Sequence, residues 1–144
     1  MKRILLSLAV ATSLIVPTAA LACEGDGKHQ AAATPAKATV ADVASWTKSK
    51  TAIPVDANGK ETRTSQGVIP GAVLLTSSST YDVKELPADK TSKLVFYCAN
   101  QKCTASDAAA KRAMENGYIN VAVLPEGIAG WKQAGQPTAK PNNT

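Results

Sequence analysis

Two of the three cysteines in this 144-residue chain, Cys98 and Cys103, stand close together in a setting that suits a reactive thiol. Cys98 directly follows the apolar run Leu94-Val95-Phe96-Tyr97. Ala99 to Cys103 form a short segment, and Thr104 or Ser106 can then cap a helix. A chain that turns from strand to helix in so few residues must curl, and successive backbone N–H groups then converge into an anion-binding concavity. The unpaired N–H groups and positive dipole end of the helix start add to it. A thiol placed there is expected to lose its proton more easily, and a persulfide anion on the same sulfur would be held by the same donors. The competing reading is an inert buried cysteine, since cysteine is among the most buried residue types. The position of Cys98 at the junction of strand and helix favours function.

The pair allows a second chemistry. Four residues separate Cys98 from Cys103, so Cys103 can resolve an oxidised or persulfidated Cys98 as a disulfide if the two Cα atoms come within about 7 Å. The spacing is not the C-x-x-C of thioredoxin-like proteins, and that fold is not expected.

The elements that must position these thiols can be read from the patterning. Leu94 to Tyr97 is a continuous apolar run, as in a central parallel strand buried on both faces. The helix after the loop runs through the alanine-rich Asp107 to Met114, and Gly117 ends it. Ile119 to Leu124 is another buried strand, and Glu126 to Trp131 begins a last helix. Upstream, Thr39 and Asp42 form a capping box for a helix that reaches about Lys48. Thr51 to Asp56 is a strand whose Pro54 argues against full hydrogen bonding on both sides. Ala57 to Gly67, with Asn58-Gly59, reads as a loop. Ile69 to Leu75 is a turn leading into a strand, and one helical turn is expected near Tyr81 to Leu86. Strands alternating with helices make an α/β domain with a mostly parallel central sheet and helices on both faces. In such sheets ligands bind beyond the carboxyl ends of the strands, where Cys98 falls.

The amino terminus reads as a secretory leader. Met1-Lys2-Arg3 is basic, Ile4 to Val16 is apolar and uncharged, and Ala20-Leu21-Ala22 is an A-x-A cleavage site. The expected organisation is a signal peptide over 1–22, a flexible tether over 23–37, one domain over 38–138 and a disordered tail over 139–144. Export to the periplasm follows. Cys23 after the cleavage site raises lipidation as a minority reading, because Ala20 replaces the bulky aliphatic residue usual three places before a lipidated cysteine. Membrane association is expected only if Cys23 carries lipid. The formal net charge of +5, part of which leaves with Lys2 and Arg3, comes without a basic block, so a nucleic-acid partner is not expected. Cys23, Glu24, Asp26 and His29 match no zinc spacing, and neither metal nor other cofactor is expected.

The stretch from Leu94 to Trp131 resembles the carboxyl half of a rhodanese domain: apolar strand, Tyr-Cys, short loop, Thr/Ser, alanine-rich helix, Gly-Tyr, Ile-Asn-Val and Glu-Gly-Ile-Ala-Gly-Trp. Thr39-Val40, Val55-Asp56 and Gly67 to Ala72 are similar to that family's amino half. The resemblance implies a single rhodanese-like domain and a sulfurtransferase. Cys98 would accept a sulfane sulfur as a persulfide and pass it to a nucleophile. Ala99, Asn100, Gln101, Lys102, Cys103 and Thr104 would form the substrate loop, with Lys102 attracting an anionic donor such as thiosulfate and the Thr104 hydroxyl near the sulfur. The implied partners are that donor and a thiol acceptor, acting on a monomer. Cys103 stands where many members carry arginine, Gln101 where they carry glycine, and Val68 where a histidine is frequent. Ala57-Asn58 replaces a common Val-Arg. A loop so altered is less cationic, which favours a thiol-redox or sulfur-binding role for Cys98 and Cys103 as the alternative. A related phosphatase loop needs arginine where Thr104 stands.

Overall fold

The computed structural model describes residues 34–141. The leader over 1–22, Cys23, most of the tether and residues 142–144 of the tail lie outside the described residues.

Leu94–Tyr97 forms the middle strand of a five-stranded sheet, as its apolar run requires. In chain order the elements are β1 (Ala36–Lys37), α1 (Val40–Ser49), β2 (Ile53–Asp56), α2 (Lys60–Gln66), β3 (Val73–Leu74), β4 (Leu94–Tyr97), α3 (Ala105–Glu115), β5 (Val121–Leu124) and α4 (Gly127–Gln133), with a 3-10 turn at Val83–Glu85. The strand order is β1-β5-β4-β2-β3 and every pairing is parallel. Alternate residues of β4 and β5 serve opposite faces. Leu94, Phe96, Val121 and Val123 pack with Ala109, Ala110 and Ala113 of α3, together with Tyr81 and Tyr118. Val95, Tyr97, Ala122 and Leu124 pack on the other face with Val43 of α1 and Ile128 and Trp131 of α4. The helices therefore cover both faces of the sheet. The small alanines of α3 let that helix lie close over β4 and β5, so its amino end arrives beside the end of β4.

Local chemistry explains most of the elements. Thr39 and Asp42 make the expected reciprocal capping box at the start of α1. Pro54 is accommodated because the β4 side of β2 is served by its neighbours: Ile53 N–H bonds Lys93 O at 2.9 Å and Ala57 N–H bonds Tyr97 O at 2.9 Å. The missing Pro54 donor faces the other way, where pairing with β3 begins only at Val55.

Three sequence expectations are corrected. The segment Ala57 to Gly67, expected as a loop, contains helix α2. That helix buries no residue and its N-cap, Gly59, makes no side-chain cap bond, so neither periodicity nor capping announces it. What holds it is Arg63, whose Nε meets Asp56 Oδ1 at 3.1 Å and whose Nη2 donates to Asp56 O at 3.0 Å and Leu75 O at 2.8 Å. The tether, expected through residue 37, gives way earlier, since Ala36–Lys37 pairs with β5 at Ala122 and Val123. At the other end Ala139, expected in the tail, forms an antiparallel bridge with Val68 through hydrogen bonds of 2.8 and 2.9 Å.

Asp56 is fully buried, and its Oδ1 also accepts the Asn58 N–H at 2.7 Å. Removing Arg63 leaves that carboxylate without its counter-charge and frees the ends of β2 and β3. Arg63→Ala is expected to lower stability by about 3 kcal/mol, as for a broken buried pair. Urea unfolding at neutral pH measures it, with a loss under about 1 kcal/mol, as for a surface pair, counting against the role.

Candidate active site

The candidate site is built by two helix starts meeting the end of one strand. Cys98 follows β4, and α3 begins at Ala105, as the capping residues lead one to expect. The intervening loop is pinned from outside by the start of α4. Ile128 N–H donates to Cys98 O at 2.8 Å and Ala129 N–H to Ala99 O at 3.0 Å. This contact depends on Gly127, whose φ is +60°. A Cβ there would overlap the Cys98 carbonyl oxygen and lie 2.7 Å from Ala99 C and 2.8 Å from Asn100 N. The outer part of the loop is a turn organised by Asn100. Its carbonyl accepts the Cys103 N–H at 3.0 Å and its side-chain oxygen the Lys102 N–H at 3.0 Å. Asn100, Gln101, Lys102 and Thr104 are exposed.

Cys98 is only 1% exposed, yet it belongs to neither apolar cluster. Its sulfur has polar neighbours on the loop side. The thiol donates to Cys103 O at 3.1 Å, with Asn100 O further off at 3.9 Å, and accepts from the Ser106 hydroxyl at 3.3 Å. Ser106 is buried at the second position of α3. Thr104 occupies the N-cap of α3 but makes no side-chain capping bond. The hydroxyl at the sulfur is thus Ser106, not Thr104 as the resemblance implied. The signal in the sequence was a second hydroxyl residue just inside the helix, which reads there only as a capping candidate.

The distribution of amides also differs from the expected ring around Cys98. The Ser106 hydroxyl, bonded at 3.3 Å, and the Ser106 amide favour the thiolate of Cys98, while the Ala99 and Ala105 amides favour that of Cys103. The Cys98 thiol lies against Cys103 through its bond to the Cys103 carbonyl, so each thiol bears on the ionisation of the other. Burial pushes the Cys98 thiol up, the contact with Cys103 adds to this, and the Ser106 donors offset it only in part. The expectation of an acidified Cys98 is therefore corrected, because desolvation outweighs the helix start. Burial also acts on Cys103, but the Cys98 thiol and the Ala99 and Ala105 amides outweigh it and hold Cys103 below the ordinary thiol value. The acidified thiol of the loop is Cys103, which is half-buried at its edge.

Beneath the site the sheet end is closed by Tyr97, whose hydroxyl accepts the Ile69 N–H at 3.0 Å. Burial, reinforced by the neighbouring Asp56 charge, pushes the Tyr97 phenol far above its ordinary value, so it remains a neutral structural group. Val68 lies away from the loop chemistry and pairs with Ala139. An open cavity of about 400 Å3 flanks the loop between Asn100, Gln101 and Lys102 and the Glu126, Ala129, Gly130 and Gln133 side of α4. Among the described residues no three His, Cys, Asp or Glu side chains converge as metal ligands would.

The rhodanese-like domain family model matches residues 39–134. Among solved structures, a protein of unknown function from Rhodopseudomonas palustris, described as a possible tyrosine phosphatase, is 27% identical. That match covers 73% of this chain and 85% of that one, with a TM-score of 0.60. The rhodanese-like domain of a protein from Anabaena sp. is 20% identical, covering 75% of this chain and 83% of its own, with a TM-score of 0.56. A human single-domain sulfurtransferase is 19% identical, covering 67% of this chain and 95% of its own, with a TM-score of 0.54. The last two likenesses are likenesses of fold. No curated protein matches the chain significantly.

Two outcomes test this geometry. Gly127→Ala is expected to cost about 3 kcal/mol, from left-handed backbone strain and overpacking together. Urea unfolding that shows no loss would mean the loop is not seated on α4 as described. In the reduced chain, iodoacetamide is expected to label Cys103 before Cys98. The thiolate fraction rises as pH passes the thiol pKa, so Cys103 labelling should climb with pH below the range of free cysteine, about 8.5, and Cys98 labelling only above it. Trypsin cuts after Lys102 and separates the two cysteines for mass analysis. Cys98 labelling first would reverse the assignment of the acidified thiol.

Proposed function

This chain belongs to the rhodanese-like domain family, and on that premise we propose that it is a sulfurtransferase in which Cys98 carries a sulfane sulfur as a persulfide. The observation that carries the reading is the Cys98 sulfur itself. It stands at the carboxyl end of the central strand, outside both apolar clusters, with a buried hydroxyl bonded to it at 3.3 Å. A cysteine kept only for packing has no need of such partners.

Cys98, whose thiol donates to Cys103 O at 3.1 Å, gives its proton to a solvent base once the outer turn yields. The thiolate attacks the outer sulfur of an anionic donor such as thiosulfate, the donor's S–S bond breaks, and sulfite departs with the bonding pair. The Ser106 hydroxyl and N–H then donate to the sulfur of Cys98. Lys102, exposed at the rim, draws the donor electrostatically. An external thiol finally takes the sulfane sulfur. Access requires the outer turn of the loop to yield, and that turn is held chiefly by the two hydrogen bonds to Asn100. The leader-like residues 1–22 support an exported, periplasmic site of action. A phosphatase reading, raised by the description of the Rhodopseudomonas protein, is not favoured, because Thr104 stands where such a loop needs arginine.

One observation favours a second reading, a dithiol redox or sulfur-binding protein with little turnover: the Cys98 thiol donates to Cys103 O at 3.1 Å, which sets the two cysteines side by side in the loop. Intact mass spectrometry of the reduced chain after thiosulfate separates the two. A gain of one sulfur is expected in Cys103→Ser, where no second loop thiol can displace it, and none in Cys98→Ser. Ser106→Ala should slow the uptake about tenfold or more, since a hydrogen bond to a charged group contributes about 1.5–3 kcal/mol. Sulfur gained equally by Cys98→Ser would sink the assignment.

A further inference from the structure

We propose that Cys103 is an internal acceptor thiol, which attacks the sulfur of persulfidated Cys98 and releases the carried sulfur as hydrosulfide, leaving a Cys98–Cys103 disulfide. The inference rests on Cys98 forming a persulfide, as proposed above, and adds to it a product and a second reacting residue.

Three features of the loop carry it. The turn at Asn100 folds residues 99–103 back on themselves, so that Cys103 O comes within 3.1 Å of Cys98 Sγ and the two cysteines lie side by side in one loop. The attacking sulfur therefore needs little movement to reach its target. Next, the Cys103 thiol is held below its ordinary value, with the Ala99 and Ala105 amides contributing. These donors favour the thiolate, which is the attacking species in thiol–disulfide exchange. Finally, the position is half-buried and has solvent on one side, which gives the departing hydrosulfide a way out.

The persulfide offers two sulfurs. Attack on the outer one would move the sulfane sulfur to Cys103 and expel the Cys98 thiolate. Attack on the inner one expels hydrosulfide. The better leaving group is the one whose anion is better stabilised, and Cys98, only 1% exposed, would have to leave as a desolvated thiolate, whereas hydrosulfide departs at the solvent side of the loop. Buried Cys98 is therefore the poorer leaving group, and the inner attack is favoured. In that step the bond between the Cys103 and Cys98 sulfurs forms and the bond between Cys98 and the sulfane sulfur breaks. The bonding pair leaves on the sulfane sulfur, and the proton of the Cys103 thiol ends on it. The disulfide that remains holds two oxidising equivalents. An external dithiol reductant returns it to two thiols and is itself converted to a disulfide.

The full chain is reduced, freed of reductant, kept from oxygen and given one equivalent of thiosulfate. Sulfide is measured colorimetrically, and the protein by intact mass and by non-reducing tryptic mapping. The unsubstituted chain is expected to release close to one hydrosulfide per chain and to lose two hydrogens, with peptides 94–102 and 103–111 joined. In Cys103→Ser, and in Cys103→Ala as a second variant, sulfide release should be lost and the added sulfur should persist on Cys98. A persulfide that persists in the unsubstituted chain without sulfide overturns the inference and leaves Cys98 as carrier. Sulfide released equally by the Cys103 variants also overturns it. No added sulfur and no sulfide in any of the chains overturns the persulfide reading and this inference together.

Discussion

The loop that carries Cys98 is anchored by backbone contacts from an element that follows it by almost thirty residues. Two N–H groups at the start of α4 bond the carbonyls of Cys98 and Ala99, and Gly127 lies so close to those peptides that a single Cβ would overlap them. Because those carbonyls are spoken for, the peptide units after Cys98 have to turn their other groups inward, toward the thiols. The same contact ties the end of β4 to the covering helix α4, so the site cannot shift without disturbing the packing of Ile128 and Trp131 on the sheet. Precision at the sulfur is thus inherited from the fold rather than from the loop's own few hydrogen bonds.

Within that frame the two thiols are unequal. Cys98 is closed off from solvent and keeps its proton, while Cys103 collects the amides that curl around the loop. Where the resemblance leads one to expect arginine, this loop carries Cys103, a thiol held below its ordinary value. That exchange replaces an attraction for anionic donors with a second nucleophile, which is why the chemistry proposed for the pair differs from simple sulfur relay.

The remaining support comes from the carboxyl ends of the strands. Asp56, fully buried, is bonded by Arg63 and Asn58, and Arg63 reaches on to Leu75, so one side chain closes the ends of β2 and β3. Tyr97 does the same for β4 by accepting from Ile69. These groups form a polar floor under the loop. Asp56 Oδ1 is bonded by Arg63 and Asn58, while its Oδ2 lies buried without a hydrogen-bond partner.

The family, the α/β architecture, the helices on both faces and the strand–Cys98–helix order were all legible in the chain, because each follows from local pattern: an apolar run buried on both faces, a capping box, an alanine-rich helix. Three things were not. Helix α2 has no apolar stripe and exists through long-range bonds of Arg63, so nothing local marks it. The hydroxyl at the sulfur proved to be Ser106 rather than Thr104, because the choice between neighbouring hydroxyls depends on how α3 is rotated against β4, which the alanine packing decides. The division of character between Cys98 and Cys103 depends on burial and on where a handful of N–H groups point. Sequence spacing brings two thiols into one loop, but only tertiary contacts set the solvent exclusion and amide directions that make one thiol harder, and the other easier, to ionise.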